Sequence, residues 1–253
     1  MTIVDKFRLD GRVAIITGAS SSLGAAFAKG LAEAGADLVL AARRVDELER
    51  IAETVRGIGR RALVVETDVT DSRECTALVD AAMEEFGRVD ILVNNAGVGS
   101  VGPATRQGPQ EFRSVLDVNL YGTYWAAQAC GLVMQPGSSI VNVSSILGIT
   151  TTGLPQAAYS ASKAAVIGLT RDLAQQWGTR KGIRVNAIAP GFFASETSSE
   201  NYDDDLVGLS DRMILGRTGD PDELAATVVW LASDAGGYVT GQTVSVDGGV
   251  SIT

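Results

Sequence analysis

The stretch Val13-Ala14-Ile15-Ile16-Thr17-Gly18-Ala19-Ser20-Ser21-Ser22-Leu23-Gly24 runs four apolar residues and a threonine into a turn rich in glycine and serine. A helical pattern, Leu23–Ala34, follows directly. β-Branched residues at 13, 15 and 16 favour a strand. Glycines permit a tight turn and a close backbone approach. The N–H groups that open the helix can then hold a pyrophosphate. A gapped glycine pattern alone is a weak signal; its place after the first strand of a βαβ series gives it weight.

The same alternation continues outward. Leu38–Ala42 and Ala62–Glu66 read as strands around a helix, Val45–Ile58. Ser72–Phe86 reads as a helix and Ile91–Asn94 as a strand. A long helical stretch ends near Leu132, followed by a strand at Ser139–Ser144 and a helix at Ala157–Trp177. Arg184–Ala189 is a strand, Pro221–Leu231 a helix and Thr243–Val246 a last strand. Strands alternating with helices of ten or more residues mean βαβ units. The expected fold is α/β: one Rossmann-type domain spanning 1–253, a doubly wound parallel sheet of about seven strands with helices on both faces. Ser195–Leu215, with the run Asp203-Asp204-Asp205, interrupts the rhythm as a loop or short-helix insertion.

Composition removes whole classes of function. The 253 residues contain no histidine, which excludes Ser-His-Asp and Cys-His catalysis and the histidine-bearing zinc sites. Two cysteines, Cys75 and Cys130, cannot supply an all-thiolate zinc site, so no metal is expected; both read as buried helix residues. Proton chemistry is left to Tyr, Lys, Asp, Glu or Cys. A net charge of −9 argues against a nucleic-acid partner. No apolar run approaches the roughly 20 residues of a membrane span. Met1–Arg12 carries charges of both signs and no apolar stretch, so a cytoplasmic location is expected.

Tyr159 and Lys163 are four apart at the start of a helical pattern, one turn above each other on one face. A nearby ammonium favours the phenolate and lowers a tyrosine pKa from its usual value near 10. Ser145 ends the strand before them, fourteen residues upstream of the tyrosine, and Asn119 lies in L-D-V-N-L. With the turn at 17–24 and Asn94-Asn95-Ala96-Gly97, these residues make the chain resemble the short-chain dehydrogenase/reductase family along essentially its whole length. Pro190-Gly191-Phe192-Phe193-Ala194-Ser195 and Gly241–Gly249 match too. One departure stands out: Ser22 occupies the place of the middle glycine, and a serine resists φ > 0.

The resemblance implies an NAD(P)(H)-dependent enzyme that interconverts a ketone and a secondary alcohol. It gives catalytic roles to Asn119, Ser145, Tyr159 and Lys163. Ser145 would hydrogen-bond the substrate oxygen, Tyr159 exchange its proton, and Lys163 lower the tyrosine pKa and hold the nicotinamide ribose. Asn119 would order a water joining Lys163 to solvent. Cofactor contacts fall on Gly18, Ser20, Ser22, Leu23 and Gly24, then on Arg43, Asp68, Val69, Asn95, Ala96 and Gly97. Tyr159, Lys163, Pro190, Gly191, Phe193 and Ser195 complete them.

Ala41-Ala42-Arg43-Arg44 closes the second strand with no acidic residue before Asp46. Asp or Glu there would suit a ribose 2′-OH, whereas arginine suits a 2′-phosphate, so NADP(H) is preferred, with NAD(H) the other option. Arg43 is the better placed of the two. Relatives also imply a lid at about 195–215 and a homotetramer through helices near Gln110–Gly131 and Ala157–Trp177. Two rival readings remain. One is a β-ketoacyl-carrier-protein reductase, disfavoured because Lys163 is the only base between Arg113 and Arg171. The other is a non-catalytic NAD(P) sensor.

Overall fold

The computed structural model describes residues 2–193 and 212–253. Seven strands form one sheet: β1 (Val13–Thr17), β2 (Asp37–Ala42), β3 (Ala62–Glu66), β4 (Ile91–Asn94), β5 (Ser139–Val143), β6 (Arg184–Pro190) and β7 (Thr243–Val246). Their order is β3-β2-β1-β4-β5-β6-β7, and every pairing is parallel. The helices are α1 (Ser22–Glu33), α2 (Val45–Gly57), α3 (Ser72–Phe86), α4 (Pro109–Leu116), α5 (Thr123–Val133), α6 (Ala157–Lys181) and α7 (Pro221–Ala232).

Two apolar cores follow from the period-two geometry of β1. Ala14 and Ile16 point to one face, where Phe27 and Leu31 of α1, Leu48 of α2 and Leu224 of α7 cover them. Val13 and Ile15 point to the other, under Leu78 of α3, Cys130 of α5 and Leu173 of α6. A strand buried on both sides is expected to be mostly apolar, as β1 is from Val13 to Ile16; Thr17, buried at its end, is the one polar residue of the strand. Cys75 and Cys130 fill small places in the second core, and burial pushes both thiols up, Cys75 to about 11. Such thiols are inert at neutral pH.

The chain reverses direction across the sheet between β1 and β4. The carboxyl ends of these two strands flank a crevice, the usual ligand position in a doubly wound sheet. Two helical readings change. The stretch ending near Leu132 is not one helix: a π turn, Asp117–Gly122, separates α4 from α5. α6 runs one turn beyond Trp177 to Lys181 and stops at Gly182, whose φ of 66° ends it in left-handed conformation.

Candidate active site

The turn after β1 is built by two glycines and a serine cap. Gly18 has φ +63°, and a Cβ there would stand 2.6 Å from the Ala96 Cα. A Cβ at Gly24 would meet the Gly18 carbonyl oxygen at 2.5 Å, so both positions need hydrogen for a side chain. Ser22 does not carry a strained conformation. It is the first residue of α1, and no non-glycine residue described has positive φ. The serine that replaces the middle glycine therefore leaves the turn intact. Ser21 caps the helix, its Oγ accepting from the Gly24 N–H at 3.1 Å.

The first-turn N–H groups, those of Ser22 and Leu23 among them, have no acceptor within the helix. Beside the turn lies a cleft lined by Gly18, Ser20, Ser21, Arg43, Asp68, Asn95 and Gly97, with Val69 and Ala96 between them; Ser22, Leu23 and Gly24 are not among its lining residues. The residues singled out along four separate strands thus converge at one edge. Asn95 braces the turn: its Nδ2 donates to the Gly18 carbonyl at 2.8 Å and to Ser21 Oγ at 3.2 Å. Thr17 Oγ1 accepts from the N–H groups of Asn95 and Ala96, both at 3.2 Å. Arg44 lies across the cleft, Nη2 on the Ser20 carbonyl at 2.7 Å, and Arg43 is exposed beside it. This cradle, with its first-turn amides and two cations, matches the shape and charge of a dinucleotide phosphate chain.

The second constellation sits at the ends of β5 and α6. Lys163 is buried at 4% exposure, and its Nζ donates to the Val143 carbonyl at 2.8 Å. Burial pushes its pKa down to about 8. The ammonium lies 5.6 Å from the centre of the Tyr159 ring. Ser144 Oγ donates to the Lys163 carbonyl at 2.8 Å, pinning helix to strand. Ser145 Oγ accepts from the Leu147 N–H at 3.1 Å, which leaves its own hydrogen to donate elsewhere.

Asn119 is fully buried in the π turn. The wide turn interrupts the helical ladder, and Thr123 Oγ1 donates to the Asn119 carbonyl at 2.8 Å. The Asn119 side chain accepts from the Val98 N–H at 2.8 Å and donates to Ser162 Oγ at 3.0 Å. Ser162 in turn donates to the Tyr159 carbonyl at 2.7 Å. Asn119 is thereby tied to the tyrosine's helix turn. Gly97 packs against both Asn119 and Lys163; a Cβ there would lie 3.4 Å from each.

Pro190 ends β6, and just after it the Gly191 N–H donates to the Val246 carbonyl at 2.9 Å. Phe193 turns its ring onto Gly219 and the core beside α1, so its side chain is spent on packing. Ser195, Asp203, Asp204 and Asp205, and most of the expected lid, lie outside the described residues. Four contributors had no part in the sequence reading: Thr17, Ser21, Arg44 as a brace, and Ser162. Only Ser21 left a signal, a serine three residues before a helical glycine at an N-cap position. The others act through partners distant in sequence.

Sheet, crevice and paired tyrosine and lysine together define an oxidoreductase that uses a nicotinamide dinucleotide. A family model described as enoyl-(acyl carrier protein) reductase matches residues 18–251. The 2-dehydro-3-deoxy-D-gluconate 5-dehydrogenase of Dickeya dadantii is 39% identical, over 98% of each chain. A short-chain type dehydrogenase/reductase from Mycobacterium marinum superimposes with TM-score 0.94 at 34% identity, covering 98% of this chain and 99% of that one. A gluconate 5-dehydrogenase from Burkholderia cenocepacia in complex with NADP and tartrate gives 0.91 at 35%, over 100% of both. The chain belongs to the short-chain dehydrogenase/reductase family. It is an NAD(P)-dependent oxidoreductase that interconverts alcohols and carbonyl compounds.

Proposed function

We propose that Tyr159 is the acid/base of a ketone–secondary alcohol interconversion, with NADP(H) as the preferred cofactor. One observation carries the assignment: a buried Lys163 ammonium, bonded to the Val143 carbonyl and held beside the Tyr159 ring. In a low-dielectric site that charge acts on the phenolate far more strongly than it would in water. Ser145, with its oxygen occupied by Leu147, aims its hydroxyl hydrogen at the substrate oxygen. Tyr159 gives that oxygen a proton in reduction and takes one in oxidation. Asn119 holds the tyrosine's turn through Ser162 and so acts as a positioning residue. The bound nicotinamide supplies or accepts the hydride. Gly18, Ser20, Ser22, Leu23 and Gly24 would hold its phosphates, and Asp68, Val69, Asn95, Ala96 and Gly97 would flank the nucleoside.

The preference for NADP(H) rests on Arg43 and Arg44 at the cleft and on the lack of a carboxylate at the end of β2. A small neutral substrate fits better than a carrier-bound thioester. Lys163 is buried, Lys181 Nζ is committed to the Gly131 carbonyl and Arg184 to the Ser233 carbonyl. That leaves Arg113 on α4 and Arg171 and Arg180 on α6 as exposed cations among the described residues of these helices, a thin basis for docking an acidic carrier. A homotetramer is supported by exposed Ala157, Ala161 and Ala164 on α6 and by Leu132, 77% exposed at the end of α5. Among the described residues no helix is long and apolar enough to cross a membrane, which accords with a cytoplasmic enzyme working as one domain under a lid near 195–215.

The test is turnover of ketones and alcohols with both cofactors, wild type against Tyr159→Phe. The variant loses one oxygen and should lose ~10²–10⁴-fold in kcat with cofactor binding retained. Turnover near the wild-type rate would overturn the assignment. Wild-type inactivity with every pair would favour the sensor reading.

A further inference from the structure

Three stretches far apart in sequence meet beside the catalytic serine. Ile146, Met213 and Val250 pack into a small apolar cluster separate from the two main cores, with Leu147 and Phe192 against it. Arg212, next to Met213, ties the same three stretches together with hydrogen bonds. Its Nη1 donates to the Thr151 carbonyl at 2.9 Å, and its Nη2 to the Thr253 carbonyl at 2.9 Å and the Val250 carbonyl at 3.4 Å. Thr253 Oγ1 donates back to the Arg212 carbonyl at 3.1 Å. A planar guanidinium carries its donors in a fixed fork and can hold carbonyls of two segments at once; a lysine ammonium is a point charge without that geometry.

Each end of this clamp leads to something rigid. On one side, Asp247 follows β7, and its carboxylate accepts from the Gly249 N–H at 3.0 Å and the Ser251 N–H at 2.8 Å. A Cβ on Gly191 would stand 2.8 Å from the Asp247 Cα, so the turn that begins there is seated on the end of β6. On the other side, Ser145 to Thr150 is one hydrogen-bonded unit. The Gly148 N–H donates to the Ser145 carbonyl at 3.0 Å and the Thr150 N–H to the Ile146 carbonyl at 2.8 Å. Within it the Leu147 N–H fixes the Ser145 oxygen. Gly148 lies flush on α6, where a Cβ would meet the Lys163 carbonyl carbon at 2.8 Å. Arg212 thus fastens the far end of a unit whose near end is the Ser145 hydroxyl.

We propose that Arg212 is a positioning residue for the reaction: by bolting Thr151 to Val250 and Thr253, it holds the Ser145 hydroxyl in its working place. The proposal rests on the reading of Ser145 and Tyr159 given above. The turn that carries the serine into the loop, Ile146–Gly148, is a 3-10 turn of three residues. So short a turn is not stable by itself, and its geometry is set by what anchors its ends. The near end is anchored on α6, Ser144 Oγ donating to the Lys163 carbonyl at 2.8 Å. The far end is anchored by Arg212, and the next tie, from the Gly102 N–H to the Pro155 carbonyl, comes four residues later. A donor aimed at charge that develops on the reacting oxygen is effective only when it is held in place beforehand, and a displacement of about 1 Å can cost ~10²-fold.

The experiment is a double-mutant cycle on kcat, run on the ketone that wild type reduces fastest in the Tyr159 test, starting from 2,3-butanedione. Cofactor affinity is followed alongside by NADPH fluorescence. Ser145→Ala alone should lower kcat by ~10²–10³-fold, as loss of a donor to the reacting oxygen does. Arg212→Met alone should lower it by ~10- to 100-fold with cofactor affinity retained. In the Ser145→Ala background the same change should cost less than ~3-fold, because the hydroxyl it positions is gone. Arg212→Lys, which keeps a donor for one carbonyl, should recover part of the rate and show the same loss of effect. Equal losses with and without the Ser145 hydroxyl overturn the proposal, and so does a wild-type kcat in Arg212→Met. Loss of cofactor binding in both Arg212 variants assigns the residue to folding alone and likewise overturns it. A Ser145→Ala enzyme as fast as wild type removes the reading of Ser145 itself, and wild-type inactivity with every ketone removes the dehydrogenase reading; the proposal falls with either.

Discussion

The glycine-rich turn after β1 and the segment from Ser145 to Lys163 lie on the same edge of the sheet but are built on opposite principles. At the turn, every brace is satisfied from within. Asn95 bonds Gly18 and Ser21, Thr17 receives Asn95 and Ala96, and Ser21 caps Gly24. In the loop, Thr152 Oγ1 and Gln156 Oε1 are buried with no hydrogen-bond partner among the described residues, and on α6 just beyond it Lys163 carries a charge into the interior against the Val143 carbonyl. The turn presents backbone to its ligand, so it can be complete before binding.

Substitutions on the two sides should therefore move stability in opposite directions. The largest effect belongs to Gly18→Ala. A left-handed alanine costs about 1–2 kcal/mol, and crowding against Ala96 adds about 1–3 kcal/mol. Both the thermal midpoint and NADPH binding, followed by cofactor fluorescence, should fall sharply. A variant of wild-type stability would mean that the turn yields easily, which would break the contrast.

Lys163→Met should do the reverse. Folding takes this lysine from its ordinary 10.5 to about 8. The burial cost is about 3 kcal/mol, offset by about 1 kcal/mol for the bond to Val143, so the variant should gain about 2 kcal/mol while losing turnover. Below pH ~8 the lysine is charged in both folded and unfolded chains, and the cost is felt in full. As pH rises from about 8 toward 10.5 the unfolded chain holds the extra proton, and wild-type stability climbs. The stability gap between variant and wild type, read from urea melts, should narrow across that window. A gap constant with pH would place the lysine's burial cost elsewhere.

Arg43→Asp is the finest of the three. It removes a cation from the cleft and adds an acceptor for a ribose 2′-OH, so the NADP(H) to NAD(H) preference should fall by about 10- to 150-fold. Arg44→Ala should move it less, because Arg44 already spends Nη2 on Ser20. Paired kcat/KM values for the two cofactors decide it; a wild type that already prefers NAD(H) defeats the reading.

By itself the sequence determined the sheet, the crevice and the residues that meet there. Strands such as β1 are short and mostly apolar, helices such as α1 are longer and periodic, and both signals are local. Gly18 and Gly24 were legible because only glycine tolerates the conformation and the contacts, and Tyr159 and Lys163 because helix periodicity places them on one face. Tertiary structure alone decided the rest. Whether Ser22 would strain the turn depended on a φ angle that its neighbours set. The π turn at Asn119 answers to Val98, Ser162 and Thr123, the first two distant along the chain. The unpaired oxygens of Thr152 and Gln156 have no sequence signature, because an unsatisfied valence is a property of what surrounds an atom and not of the residue that bears it.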